Sequence, residues 1–237
     1  MLELFFNEVK TNIMKKVAII LSGCGQHDGS ETHEVITLLL SLTQQNMLWD
    51  AFAPDIQQHN IVNHLTSQKD TEATSRSVLK ESARLVRGQI QALSDLNVQD
   101  YDALIIPGGL GAVTVLSNWL ENKEDYSFIP EVAKVIDEVI THKKPLGLIC
   151  IAPVLAVKYY QNAKITIGND AKLAKYIEGF GCEHVSSSAT ESVVDEKHNL
   201  VTTAANMVAK DISEVYLGIN ILVERLNDLM NKGKSSE

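Results

Sequence analysis

Cys150 stands where an apolar run, Leu146-Gly147-Leu148-Ile149, ends, and a Pro-containing segment starting at Ala152 follows almost at once. A buried strand that turns sharply into a helix is the layout of a nucleophile elbow. A thiol held there lies over unpaired helix N–H groups, whose partial positive charge favours thiolate. Gly147 and Ala152 are small enough for a sharp turn, Pro153 suits a first helical turn, and the Ile151 N–H is available to an oxyanion. Taken alone, Cys150 is equally well read as a small buried hydrophobe.

Two further groups share this chemistry. Pro107-Gly108-Gly109-Leu110-Gly111 ends another apolar run and offers backbone N–H groups as an anion cradle, or glycines that merely serve a tight turn. It is not a GxGxxG, and no P-loop lysine follows. Glu31 and Glu34 lie three apart at a helix start, hence on one face. Acidic residues there complement the helix dipole; a carboxyl beside a thiol would instead shuttle a proton, with burial keeping it protonated. Cys24, at the end of the first strand, either lines the same pocket or is inert, and Cys182 reads as core. The seven histidines form no metal pattern: His27 and His33 flank the first strand's end, and His59 and His64 fall in a polar stretch. No metal and no cofactor is expected.

The elements that must position these groups follow from hydrophobic patterning. Short buried strands are predicted at 16–21, 49–53, 103–106, 145–149 and 164–167, and helices at 31–45, 72–84, 131–142, 152–160, 171–178 and 211–230. Ser30 is the expected N-cap of the first helix. Residues 192–195 and 200–203 read as a hairpin, 85–93 as a short strand, and 54–69 as a polar insertion. Strands alternating with helices give an α/β fold with a mostly parallel sheet covered on both faces. Ligands of such sheets bind beyond the carboxyl ends of the strands, which is where Ser22–Gly25, Pro107–Gly111 and Cys150–Pro153 fall.

Composition narrows the rest. The 237 residues carry a net charge of −9 and no basic cluster, which excludes a nucleic-acid role. No apolar run reaches membrane-spanning length. Three cysteines give neither a zinc motif nor a disulfide framework, consistent with a reducing compartment. Residues 1–13 make a poor signal peptide and are not Arg/Ser-rich, so a cytoplasmic location is expected. The domain expectation is an extension over 1–13, one domain over 14–230 and a polar tail over 231–237.

Five segments together resemble the ElbB family, also called sigma cross-reacting protein 27A or enhancing lycopene biosynthesis protein 2: KKVAIILSGCGQHDGSETHEV, FAPD-x-QQ-x-x-x-VNHLT, DALIIPGGLGA, KPLGLICIAPVLA and VVDEKHNLVTT. The resemblance runs from about Met14 to about Leu226. It implies the PfpI-type, class I glutamine amidotransferase-like superfamily, a flavodoxin-like three-layer sandwich and a homodimer. It also implies that Cys150 is the reactive elbow cysteine, Glu34 its partner acid with Glu31 adjacent, and Gly108 and Gly109 the oxyanion loop. Two departures stand out: Ile151, not His, follows the cysteine, and no His lies near Gly168. A Cys-His-Glu triad is therefore not evident, which argues against glutaminase or protease activity. The expected activity is a cofactor-independent glyoxalase acting on a small aldehyde, glyoxal or methylglyoxal. The alternative is a redox-responsive regulatory protein using the same thiol.

Overall fold

The computed structural model describes residues 14–72 and 75–233. The extension read over 1–13 lies outside them. β1 (Lys16–Ile20) leads into α1 (Thr32–Gln44), and β2 (Leu48–Ala53) returns parallel to β1 with Val17 opposite Trp49. The insertion contributes a small antiparallel hairpin, β3 (Val62–Asn63) with β4 (Gln68–Lys69). After it come α2 (Val78–Leu85) and an edge strand, β5 (Ile90–Ala92), parallel to β2. β6 (Ala103–Ile106) lies on the other side of β1. Three helices follow, α3 (Gly111–Thr114), α4 (Trp119–Asn122) and α5 (Pro130–Thr141), and then β7 (Leu146–Ile149). A satellite pair, β8 (Lys164–Ile165) and β9 (Glu183–His184), brackets α6 (Ala171–Gly179). The hairpin of β10 (Ser192–Asp195) and β11 (Leu200–Thr203) precedes the long α7 (Ile212–Gly233).

The central sheet has seven strands in the order β10-β11-β7-β6-β1-β2-β5, parallel except for β10. β6, β7 and β11 are buried along their whole length, and β1 in all but its first residue. Strands covered on both faces need no alternation, which is why they read as continuous apolar runs. α7 packs across β7, β10 and β11 and alongside α1. Gly147 admits that contact: a Cβ there would lie 3.1 Å from both Ile105 and Leu222. Close helix approach, rather than the turn at Cys150, is what demands glycine in this strand.

Several expectations are corrected. Glu31, not Ser30, caps α1, its carboxylate accepting the Glu34 N–H at 2.8 Å; the Ser30 hydroxyl instead accepts the Ser22 N–H. Residues 152–160 do not make an α-helix: a 3₁₀ turn over Ala152–Leu155 passes into further turns. The helix expected over 72–84 starts only at Val78, capped by Ser77, and the strand expected over 85–93 is β5 alone. The strand expected over 164–167 is two residues long and belongs to the satellite sheet. α7 runs through Gly233, beyond the expected start of the tail at 231. Among the described residues no helix is long and apolar enough to cross a membrane, and no cluster of three or more His, Cys, Asp or Glu could hold a metal ion.

Candidate active site

Cys150 is the first residue beyond β7 and has a left-handed backbone, φ 62°. That conformation costs a non-glycine residue roughly 1 kcal/mol. It is held by the register of β11 on β7, which lets the Cys150 N–H donate to the Thr203 carbonyl at 2.9 Å. The side chain is therefore thrown off the sheet toward the start of α1. There Glu34, wholly buried in the first helical turn, hydrogen-bonds to the sulfur. The Gly108 N–H donates to Glu34 Oε2 at 2.9 Å. Any Cβ on Gly108 would collide with Cys150 Cβ and come within 2.6 Å of Glu34 Oε2 and 3.0 Å of Cys150 Sγ, so only glycine fits between thiol and carboxyl. Gly109 has φ 94°, and a Cβ there would strike the Gly29 carbonyl.

The four-residue 3₁₀ turn after Cys150 replaces the helix dipole expected there. The favourable field at the sulfur comes instead from two backbone groups, the N–H of Gly109 and that of Ile151. Burial, then the Glu34 charge and its hydrogen bond, push the thiol well above its ordinary value, and those two N–H groups pull the other way. Glu34 is pushed up to about 7, first by burial and then by the Glu31 carboxylate, against donors from Asn206, Cys150 and Gly108. Thiol and carboxyl cannot both ionise easily at this separation, so they titrate as a pair. A proton on Glu34 turns the carboxyl from a repelling charge into a donor toward the sulfur, the state in which thiolate is favoured.

Glu31 completes the group. Its Oε2 accepts the Glu34 N–H at 2.8 Å and the Asn206 carboxamide at 2.9 Å, while its own N–H donates to the Gly108 carbonyl. The Asn206 carboxamide also donates to Glu34 Oε1 at 3.1 Å. Asn206 follows β11 in a short 3₁₀ turn whose first residue, buried Ala205, has φ 42°. Sequence reasoning missed Asn206. The rule that ligands gather beyond parallel strand ends, applied to β11 as it was to β7, would have found it.

None of the other candidates hydrogen-bonds to Cys150 or Glu34 among the described residues. Cys24 is half-buried, with Thr32, Glu81 and Arg84 as its polar neighbours, and burial followed by Glu81 pushes its thiol up. Cys182 is core, its thiol donating to the Tyr160 carbonyl. His27 packs its ring against His64 of the insertion at 5.0 Å. His33 is exposed, 4.0 Å from Glu31. A His–carboxylate pair does exist, His198 with Asp195 at 2.8 Å, but it sits at the start of β11, the end of the strand away from Cys150. A cavity of about 340 Å³ framed by Ile56, His59, Thr114 and Phe128 is lined by neither Cys150 nor Glu34. Cys150 is buried, 7 % exposed.

The mostly parallel seven-stranded sheet, with Cys150 just beyond a central strand, gives an α/β protein with the DJ-1/PfpI-like fold. A Schizosaccharomyces pombe DJ-1 variant shares the fold, with a TM-score of 0.56 at 19 % identity over 94 % of this chain and 98 % of that one. No family model matches the chain. The rat ES1 protein homolog, mitochondrial, is 37 % identical over 226 residues, 92 % of this chain and 85 % of the relative. The human glutamine amidotransferase-like class 1 domain-containing protein 3, mitochondrial, is also 37 % identical over 226 residues, 92 % of this chain and 84 % of the relative. An Ehrlichia chaffeensis isoprenoid biosynthesis protein with an amidotransferase-like domain superposes with a TM-score of 0.84 at 31 % identity, covering 91 % of this chain and 99 % of that one. The chain belongs to this ES1, glutamine amidotransferase-like class 1 family, in agreement with its ElbB-like motifs.

The cytoplasmic expectation is overturned by the same relatives: the rat, human and zebrafish proteins are all named as mitochondrial. The expectation rested on the composition of residues 1–13, which says nothing of the folded domain. Free thiols and an acidic surface suit any reducing compartment.

Proposed function

We propose that the chain is a cofactor-independent glyoxalase-like enzyme for two- and three-carbon aldehydes. The observation that carries this reading is the fully buried Glu34, a carboxyl able to gain and lose a proton near pH 7, hydrogen-bonded to the elbow thiol of Cys150. That is one nucleophile and one proton shuttle, and among the described residues no histidine bonds to either.

With methylglyoxal, the Cys150 sulfur forms a bond to the aldehyde carbon, and the aldehyde oxygen takes the Glu34 proton. The resulting hemithioacetal oxygen lies within reach of the Gly109 and Ile151 N–H groups. Glu34, now a carboxylate, removes the hydrogen from that carbon; the enediol electrons are reprotonated at the neighbouring carbon, leaving a lactoyl thioester. Water adds to the thioester, the C–S bond breaks, and lactate and the thiol are regenerated. Glyoxal gives glycolate by the same steps. A net water is consumed, and no electron leaves the substrate. The low exposure of Cys150 favours such small substrates over a glutamine or a peptide.

The test is lactate formation from methylglyoxal by the wild type, Cys150→Ala and Glu34→Gln. Turnover in the wild type alone is expected; equal turnover in Cys150→Ala would sink the proposal. The isoprenoid biosynthesis role named for the Ehrlichia relative is carried to this chain as the pathway such an activity would serve. The homodimer implied by the family resemblance is carried forward likewise, to be measured by light scattering.

A second reading is favoured by the surroundings of Cys150. Cys150 is little exposed and flanked by an acid and two N–H groups, surroundings that fit a sulfur-bound oxygen as well as a substrate oxyanion. Peroxide would then convert the thiolate to sulfenic acid, releasing water, and the chain would report redox state. Selective oxidation of Cys150 by mass spectrometry, without aldehyde turnover, would choose this reading.

A further inference from the structure

Asn206 holds both site carboxylates with one carboxamide. Its Nδ2 donates to Glu31 Oε2 at 2.9 Å and to Glu34 Oε1 at 3.1 Å, and its backbone N–H adds a longer contact to the same Glu34 oxygen at 3.4 Å. The turn that presents it is strained at Ala205, a buried residue in the left-handed region directly after β11. Non-glycine strain of this kind persists only where the surroundings fix it. Glu34 thus has two unlike oxygens. Oε1 faces two N–H donors, one for each lone pair, so an O–H there would point hydrogen at hydrogen, whereas Oε2 faces one and keeps a lone pair open. Oε2 accepts the Gly108 N–H and borders the same small space as Cys150 Sγ.

We infer that Asn206 is a positioning residue, which by occupying Oε1 places the Glu34 proton on Oε2, the oxygen that shares the space beside Gly108 with the Cys150 sulfur. The inference rests on the Cys150–Glu34 pair being the reacting unit, and names what orients it. Asn206 need touch no substrate. It locks the carboxyl plane, so that the proton is aimed at the sulfur, and at the aldehyde oxygen that would bind there, rather than into the protein. As a donor it also favours the ionised form of Glu34, opposing Glu31, whose charge disfavours it. Among the described residues, the titratable groups brought against Glu34 are Glu31 and Cys150, with His33 one step further out beside Glu31.

A carboxamide and a carboxylate that pull one acid in opposite directions give a test of sign. Glu34 is titrated by carbon NMR in glutamate-labelled protein, its resonance assigned with Glu34→Gln. In Asn206→Ala the midpoint should rise by about one pH unit, and in Glu31→Gln it should fall by about as much. In the otherwise unaltered protein, the side-chain amide of Asn206 should titrate with the Glu34 midpoint. This measurement holds even if Asn206→Ala fails to fold. An amide resonance that stays flat while Glu34 titrates would overturn the inference. So would a folded Asn206→Ala with an unmoved midpoint, or shifts of the same sign in both variants. Absence of aldehyde turnover would remove the glyoxalase proposal without touching this result, since the titration needs no substrate.

Discussion

Glu34 is a carboxyl that the fold holds at a cost. Its folded pKa of about 7 lies above its ordinary value of 4.5, so between those two limits the native state binds more protons than the unfolded state. Stability therefore falls as pH rises through this window, by about 3 kcal/mol for a shift of that size. Glu34→Gln should remove the fall. Urea unfolding of the two proteins at about pH 5 and about pH 8 measures it, with the variant more stable at the higher pH. An identical pH slope in both proteins would show that Glu34 is not the group responsible. Gly108 supplies the steric counterpart. Gly108→Ala drives a methyl between Cys150 and Glu34 and should cost roughly 1–3 kcal/mol while separating thiol from acid. Gly179→Ala in α6 meets nothing within 4 Å and serves as the control. Unfolding midpoints and the iodoacetamide reactivity of Cys150 read both effects, and a Gly108→Ala protein matching the control would refute the packing argument. At this scale Cys150, Glu34 and Gly108 were legible from types and spacing. Asn206 was not, because a carboxamide after Ala204-Ala205 has no local signature and acquires its role only when β11 is laid beside β7.

The elements divide by what stabilises them. β1, β6 and β7 are apolar runs that make sense only as covered parallel strands, so sequence alone located them within a residue. The segment after Cys150 misled because Ala, Val and Leu suit a helix, whereas the left-handed Cys150 and the turn it begins lead into 3₁₀ geometry. The insertion misled for the opposite reason: its elements are too short to declare themselves and are fixed by tertiary contacts. Buried Asp28 is one such contact, its Oδ2 accepting the Val62 N–H at 2.8 Å. Asp195 plays the same part between the satellite sheet and the main one. Its Oδ2 accepts the Lys164 N–H and a bond from His198, each at 2.8 Å. Burial pushes Asp195 up, but the bonds from His198 and Lys164 outweigh it and hold the carboxyl below its ordinary value. Its stabilising contribution is present above the unfolded pKa and is lost as pH falls through the lower, folded one. Asp195→Ala should therefore cost about 2–4 kcal/mol at neutral pH and much less in acid, by denaturant unfolding at both. A loss independent of pH would point to packing rather than to the carboxylate.

The whole molecule adds a field to the site that no single residue sets. Its net charge is −9, and two buried carboxyls, Glu34 and its neighbour Glu31, stand by the Cys150 sulfur at the carboxyl end of the sheet. A surface of one dominant sign lowers the local concentration of like-charged reagents and leaves neutral ones alone, and added salt screens the difference. The proposed substrates, glyoxal and methylglyoxal, are neutral, so this field costs them nothing, whereas an anionic aldehyde of the same size would be held off. The thiol can report the field without any enzymatic assumption. Neutral iodoacetamide and anionic iodoacetate alkylate sulfur by the same displacement and differ chiefly in charge. Corrected for their intrinsic rates on a free thiol, iodoacetamide should outpace iodoacetate at Cys150 by on the order of tenfold at ~0.01 M ionic strength, the gap closing toward unity near ~1 M. Rates read by mass spectrometry of the Cys150 peptide across a salt series decide it. A discrimination that persists unchanged at high salt would come from the shape of the site. One that reverses would mean that the N–H groups of Gly109 and Ile151 outweigh both carboxylates, and the site would then select for anionic substrates.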